Sequence, residues 1–428
     1  MTKRSPRAAS AGADRPAPPS AARRRRAAVR PRALVLQTTL TVLALTACTG
    51  GERTTPVPPV GRVEQPPATT VRALQRLVRD GAPGAASLIT RGGRFHGSRF
   101  STTGVADVRN GRPMARADHF RAGSLTKTLV ATVVLQLVAE GELSLADTAA
   151  ARLPKSVPAT GKDDLGDLRN VTIRQLLDHT SGLFNYTEDA RLARELYGKG
   201  FRAHRYDSHT PAELLRVALR HPPAVDSRSG QGAPFAYSNT NYLVLGLVIE
   251  AVTGRSYAEE IRRRLIAPAR LHDTSFPGTD PALPEPHGRA YSRIGTHQVD
   301  TTSLDPSRAG AAGEMVTTLD DLNRFFSALL GGKLLPPRQM AQLRNEAGTD
   351  GTYGLGLYAT ELPCGVRVWG HNGDINGSYA QTAGTADGRH LVSYRVNTDA
   401  LADPDHGTAV LTAEFCPPSA TKPPGQHS

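Results

Sequence analysis

Apolar residues recur along this chain with two different spacings, and the two are segregated. A helical spacing over 71–79 is stopped by Gly81 and Pro83. Alternating, glycine-punctuated segments follow at 85–89 and 95–105, with turns at Gly92-Gly93 and Asn110-Gly111, and these read as antiparallel strands. The next stretch is apolar almost all round: Leu125, Leu129, Val130, Val133, Val134, Leu135, Leu137 and Val138 predict a buried central helix ending near Gly141. From about 142 to 300 the chain reads as helical or irregular, with helices at 171–177, 211–219 and 242–252, the last closed by Gly254. A helix over 315–330 is built on Leu319, Leu322, Phe325, Phe326 and Leu329. Alternation then returns at 353–360, 366–369, 378–383 and 391–397, before a last helix near 408–415. Strands at both ends with helices between them predict an α/β (α+β) fold. One antiparallel sheet is assembled from both chain ends and flanked by helices, with a mainly helical region inserted at about 142–300.

The first 47 residues read as an export signal. Arg23 to Arg26, Arg30 and Arg32 form a basic region, and an apolar run of fifteen residues follows from Ala33 to Ala47. That is shorter than the ~20 residues a helix needs to span a bilayer. Leu45-Thr46-Ala47-Cys48 closes the run like a lipoprotein cleavage site, with Cys48 the lipidated first residue; an ordinary signal-peptidase site with Cys48 incidental is the alternative. The basic region is long, and translation beginning later, for example at the codon for Val29, would shorten it. The expected location is the outer face of the cell membrane, with secretion as the alternative. Residues 48–70, rich in Thr, Pro and Gly, read as a tether, 71–416 as the domain, and 417–428 as a polar tail.

The charge of +13 follows from this arrangement. Residues 1–47 hold ten Lys/Arg and one acidic residue, which leaves +4 for the remainder. The basic balance is therefore no argument for nucleic-acid binding, and no basic stripe interleaved with aromatics is present in the sequence. With Cys48 assigned to lipid, Cys364 and Cys416 remain, and in an exported protein two leftover cysteines point to a disulfide, two buried thiols being the alternative. There is no H-E-x-x-H, C-x-x-C or close His/Cys cluster, so no metal or cofactor is expected. The absence of G-x-S-x-G argues against an α/β-hydrolase.

Candidate chemistry begins at Ser124-Leu125-Thr126-Lys127, at the mouth of the buried helix. A serine with a lysine three residues on places hydroxyl and amine on one face, one turn apart. That is the arrangement of a serine nucleophile with a lysine to take its proton. The bland alternative is a capping serine beside a surface lysine. Two observations oppose it. The chain has 7 lysines against 45 arginines, so lysine here is not filler. The helix is apolar almost all round, so Lys127 is expected near or within the packed body, and burial lowers a lysine pKa toward base behaviour. The segment also ends like a phosphate-binding loop, but Thr126 stands where that loop needs glycine, and nucleotide binding is rejected. Two further polar triplets follow, Tyr237-Ser238-Asn239 and His371-Asn372-Gly373. His179, in His179-Thr180-Ser181-Gly182, reads as a helix-end turn and not as a catalytic group.

The order Ser-x-x-Lys, Tyr-x-Asn, His-x-Gly resembles the penicillin-recognising serine hydrolases, most of all the branch holding actinomycete D-alanyl-D-alanine carboxypeptidases and class C β-lactamases. The likeness extends to Phe120-Arg121-Ala122-Gly123, Leu177-Asp178-His179-Thr180-Ser181-Gly182-Leu183, Tyr237-Ser238-Asn239-Thr240-Asn241-Tyr242, Ala312-Gly313-Glu314-Met315 and Tyr353-Gly354-Leu355-Gly356-Leu357. It covers about 71–416, and Cys364 and Cys416 resemble a disulfide pair of the exported carboxypeptidases. It implies an acyl-enzyme on Ser124 with Lys127 as proton acceptor. Tyr237 would relay the proton to the leaving group, and Asn239 would hydrogen-bond the acyl side chain or Lys127. The triplet His371-Asn372-Gly373 would lie on an edge strand, and the N–H groups of Ser124 and Asp374 would form the oxyanion hole.

Two departures bear on substrate. Carboxypeptidases of this branch carry a hydroxyl residue in the middle of the third triplet and another just after it, where this chain has Asn372 and Asp374. They also carry an arginine soon after the Tyr-Gly-x-Gly-Leu segment, where this chain has Tyr358. A cation and two hydroxyls that meet a substrate carboxylate are thus replaced by neutral groups and one carboxylate. The expectation is weak carboxypeptidase and β-lactamase activity, with better turnover of substrates lacking a free carboxylate, unless Arg308 or Arg367 supplies the cation. The substrate is a small molecule or peptide, peptidoglycan-derived ones included. A β-lactamase proper, and a non-catalytic penicillin- or wall-binding protein, are the competing readings.

Overall fold

The computed structural model of the protein describes residues 68–416, apart from 94, 158–167, 225–232, 402 and 404. The expected signal segment, Cys48, most of the expected tether and the polar tail lie outside the described residues.

Both chain ends build one six-stranded antiparallel sheet. Its strands are β1 (Gly84–Arg91), β2 (Arg99–Gly104), β3 (Tyr358–Glu361), β4 (Arg367–Ile375), β5 (Ser378–Gly384) and β6 (His390–Val396). Their order across the sheet is β2-β1-β6-β5-β4-β3. The first strand thus lies beside the last, with Ala85 opposite Val396 and Arg91 opposite His390. Helices α1 (Ala68–Arg79) and α5 (His406–Phe415) cover one face, where Leu74 and Leu77 pack with Ala85, Tyr394 and Val410. Helix α4 (Leu319–Leu330) covers the other, joining Phe325, Phe326 and Leu329 to Ala86 and Leu88. With helices on both sides, β1 is buried on both faces, which is why its sequence is nearly continuously apolar rather than cleanly alternating.

Behind α4 runs α2 (Thr126–Ala139), buried along eleven of its fourteen residues, beside α3 (Asn239–Thr253). Gly254 ends α3 in the left-handed conformation, as its position predicted. Among the described residues no helix is long and apolar enough to cross a membrane.

The structure corrects several boundaries. The first helix begins at Ala68, inside the expected tether. A single 3-10 turn (Phe95–Gly97) delays the second strand to Arg99. Tyr353 stands outside β3, and β4 runs on past Trp369 to Ile375, so the third triplet is strand throughout. The mainly helical stretch also holds a hairpin, Tyr291–Ile294 with His297–Asp300, turning on Gly295 at φ +62°. A glycine first in a two-residue loop is a hairpin signal that the short flanking runs obscured.

Cys364 and Cys416 are bridged, their Cα atoms 5.8 Å apart. The bond ties the β3–β4 turn to the end of α5 across 52 residues of sequence. A loop of that size corresponds to about 4 kcal/mol in the entropic model. Replacing both cysteines by serine is expected to lower stability by up to that amount, read as an earlier urea midpoint. An unchanged midpoint would refute the assignment of stability to this bridge.

Candidate active site

The nucleophile turn is placed by what β4 lacks. Strand β3 pairs with β4 only from Arg367 to Gly370, leaving 371–375 without a strand on that side. The 3-10 turn Gly123–Leu125 occupies the vacant edge. Two glycines make the approach possible. A Cβ on Gly373 would stand 1.8 Å from the Ala122 carbonyl oxygen, and one on Gly123 (φ +54°) would stand 2.7 Å from the Asp374 carbonyl oxygen. Neither position tolerates a side chain. The turn is latched from behind: Thr126 Oγ1 donates to the Gly123 carbonyl (2.7 Å) and accepts from the Met315 N–H (3.2 Å), and Ser378 Oγ donates to the Arg121 carbonyl (2.8 Å). The expectation of an edge strand is thereby refined. β4 is not outermost, but its functional half has a free edge.

Lys127, one residue into α2, is fully buried. Its Nζ lies 3.0 Å from Ser124 Oγ, 2.8 Å from Asn239 Oδ1 and 2.7 Å from the Ala312 carbonyl oxygen. No carboxylate forms a salt bridge with it among the described residues. Burial therefore holds the amine well below the usual lysine range. A neutral amine has two N–H groups to give and one lone pair. Asn239 and Ala312 take the first two, and the Ser124 hydroxyl faces the third. This geometry suits removal of the serine proton.

Tyr237 precedes α3 and sits over the same centre, its ring centroid 4.9 Å from Lys127 Nζ. Burial raises its phenol above the usual range, opposed by a hydrogen bond with Ser124. Asn239, the first residue of α3, is fixed from both sides: its Oδ1 faces Lys127 and its backbone N–H donates to Asn185 Oδ1 (3.2 Å). Of the two partners expected for Asn239, the structure gives Lys127. Ser124, Tyr237 and Asn239 are half-buried, whereas Lys127 is sealed.

The cleft in front of Ser124 is walled by Tyr186, Thr187, Tyr197, Asn239, Arg308 and Asp374. Asp374 is solvent-exposed, yet the cleft walls and then Asp399 push its carboxyl up to about 7. Arg308 is buried and donates to the carbonyls of Asp305 (3.2 Å) and Arg205 (3.1 Å), while its Nη1 has no hydrogen-bond partner. Arg367 pairs with Glu346 at the far end of β4, outside this cleft.

Not every predicted residue faces the cleft. The His371 ring is buried, with Nε2 2.6 Å from the Tyr353 hydroxyl and Nδ1 bonded to the Asn372 carbonyl. Burial, reinforced by Lys127, lowers its pKa to about 3, so it is a neutral buttress rather than a substrate ligand. Asn372 accepts from the Tyr358 hydroxyl (3.0 Å), so the two residues that depart from the carboxypeptidase pattern are bonded to each other. Gly373 contributes backbone. Ala312 had no predicted role, because a carbonyl carries no residue signature, and neither had Thr187 and Tyr197. Among the described residues no cluster of three His, Cys, Asp or Glu could hold a metal.

Comparison with known proteins follows the same outline. A family model described as Beta-lactamase matches residues 68–416. The chain is similar to a D-stereospecific amidohydrolase from Streptomyces sp., with 41% identity, a TM-score of 0.72, and coverage of 82% of this chain and 98% of that one. It is 28% identical over 324 residues to Penicillin-binding protein 4 of Amycolatopsis lactamdurans, covering 70% of this chain and 76% of the relative. It is 31% identical over 293 residues to Esterase EstB of Burkholderia gladioli, covering 62% and 70%. One curated Bacillus subtilis relative is matched over only 53% of its length.

Proposed function

The chain belongs to the beta-lactamase family of penicillin-recognising serine hydrolases, and on that premise we propose that it hydrolyses amides of D-amino acids, and esters, through an acyl-enzyme on Ser124. The observation that carries this reading is the sealed Lys127 amine, 3.0 Å from Ser124 Oγ with both its N–H groups engaged elsewhere. Lys127 takes the hydroxyl proton as Ser124 Oγ bonds to the substrate carbonyl carbon. The oxyanion meets the N–H groups of Ser124 and Asp374, which the two glycines bring together. Tyr237 passes the proton to the departing amine as the C–N bond breaks. Water then repeats the sequence on the ester, releasing the acid and restoring the Ser124 hydroxyl. A wall-binding protein that forms no covalent bond needs neither nucleophile nor base, so this set of contacts favours an acylating enzyme over a purely non-covalent wall-binding reading. The test is intact mass after incubation with a fluorophosphonate and, separately, a fluorescent penicillin. Rapid labelling of Ser124 by the first and slow labelling by the second is expected; no label from either would overturn the reading.

Specificity follows from charge. Above about pH 7, where Asp374 is ionised, its exposed carboxylate favours a cationic neighbour beside Ser124 and opposes an anionic one. Asp374 suits the free α-ammonium of an aminoacyl amide, a chemistry consistent with the amidohydrolase likeness. Arg308, in the same cleft wall, is buried and held by the carbonyls of Asp305 and Arg205, whereas Asp374 is the exposed charge. Matched amide and free-acid substrates should differ in kcat/KM by at least about 10-fold in favour of the amide, a few kcal/mol at most. Asp374→Thr with Tyr358→Arg should reverse the order. Preference of the wild-type enzyme for the free acid would mean that Arg308 reaches the substrate after all.

On the sequence of the first 48 residues, we also propose that a lipidated Cys48 holds the enzyme at the outer face of the membrane. Cys48→Ala should shift it from the membrane fraction or block processing. Recovery of wild-type protein wholly in the culture fluid, cleaved elsewhere, would contradict the anchor.

A further inference from the structure

We propose that His179 is a positioning residue for catalysis, a clamp that sets the angle of the Tyr237 phenol over Ser124 and Lys127; this rests on Tyr237 being the proton relay. His179 is fully buried in the turn that follows the short helix Ile173–Leu177, at φ +61°. A non-glycine residue pays strain there, and such strain is worth holding only where the surroundings demand it. The surroundings are the two peptides flanking Tyr237. The Ala236 N–H donates to the His179 carbonyl (2.9 Å), and the Ser238 N–H donates to His179 Nδ1 (3.2 Å). The imidazole also lies against the phenol itself, with ring centroids 4.3 Å apart and planes 33° from parallel. One residue thus holds Tyr237 before, behind and across its face.

The tautomer follows from the neighbours. Ser181 Oγ donates to Asn241 Oδ1 (2.6 Å), which turns the Asn241 Nδ2 toward His179 Nδ1 at 3.0 Å. Nδ1 therefore accepts two N–H groups, and the imidazole proton sits on Nε2. Nε2 has no hydrogen-bond partner; the ring there meets Tyr353 edge-on, with centroids 5.0 Å apart. A neutral ring with an acceptor on one side and a dry aromatic wall on the other suits a wedge beside a buried amine, because a second cation at this point would oppose the proton movement of Lys127. Neither asparagine nor phenylalanine supplies both properties. Asparagine keeps the acceptor and tolerates positive φ but loses the stacked ring. Phenylalanine keeps the ring and leaves the Ser238 N–H and the Asn241 amide unpaired.

The experiment separates clamp from scaffold through the leaving group. An amide needs its departing nitrogen protonated, whereas p-nitrophenolate leaves without a proton. With a D-phenylalanine anilide and the matching p-nitrophenyl ester, His179→Asn is expected to lower the anilide kcat at least about 30-fold. The acylation step of the ester, read as the p-nitrophenolate burst rate because deacylation needs the same proton on Ser124 Oγ, should change less than about 3-fold, and the anilide KM less than about 2-fold. Tyr237→Phe should show the same split, and the double variant should be no worse than Tyr237→Phe alone, as expected of residues acting as a unit. His179→Phe, checked by thermal melting alongside, should also lose the anilide selectively. Equal losses on both substrates, or losses that multiply in the double variant, would reduce His179 to a structural residue while leaving Tyr237 as the relay. If Tyr237→Phe itself spares the anilide, the relay assignment falls and the clamp falls with it.

Discussion

Ser124→Ala is expected to remove acyl-enzyme formation altogether and lower kcat by at least about 10⁴-fold, because among the described residues Ser124 has the hydroxyl that the Lys127 amine contacts. The Ser124 hydroxyl is the half-exposed oxygen that both Lys127 Nζ and the Tyr237 phenol address. The variant should fold normally, since the turn is held by Thr126, Ser378 and the two glycines and not by the Ser124 side chain. Intact mass after fluorophosphonate treatment checks the first statement and thermal melting the second. Turnover by the alanine variant at more than a few per cent of wild type would sink the mechanism.

Lys127→Met should be almost as damaging, at least about 10³-fold in kcat, and it carries a second signature in stability. In the fold the Lys127 amine titrates well below its usual value because burial penalises the charge. Unfolded, it returns to about 10.4. Between the folded and unfolded values the unfolded chain holds the extra proton, so wild-type stability rises with pH across that window. Below the folded value both states are protonated and the burial cost is felt in full. The variant has no such group. The unfolding free energy of Lys127→Met relative to wild type should therefore fall as pH increases through the window, by up to about 1.4 kcal/mol per pH unit. Urea titrations at a series of pH values read this directly. Wild-type kcat/KM should rise with pH through the folded value, at the lower edge of that window, and then level off as the lysine becomes fully neutral. A pH-independent stability difference would mean the lysine is not depressed, and the base assignment would need another group.

Much of this was legible beforehand, for physical reasons that differ by element. The all-round apolar surface of 125–138 predicted burial of its only lysine, and burial is what the structure shows. The sheet built from both ends followed from period-two patterning at 85–105 and after 353. What escaped was contextual. Patterning alone ends the strand at Trp369, since a glycine and polar residues do not read as strand when the partner is a turn from elsewhere; the family resemblance, not the pattern, placed His371-Asn372-Gly373 on a strand. His371 was expected to meet substrate, yet its ring found the Tyr353 hydroxyl, a partner 18 residues away that no local pattern announces. Ala312 acts through its carbonyl. His179 looked like a helix-end turn, and it is one; that its ring also braces Tyr237, 58 positions on, is visible only in three dimensions.

The sheet's strand order has a consequence for how the molecule is made. Ser124 emerges early, but the backbone it needs for an oxyanion hole lies at 373–374, and β1 waits for β6 at the very end of the domain. Contacts so distant along the chain form slowly and late. A partly synthesised chain therefore carries serine, lysine and tyrosine with nothing to arrange them, and it is inert. Activity switches on only when the final strands close the sheet, so the reactive serine is not assembled for use until nearly the whole domain has been made.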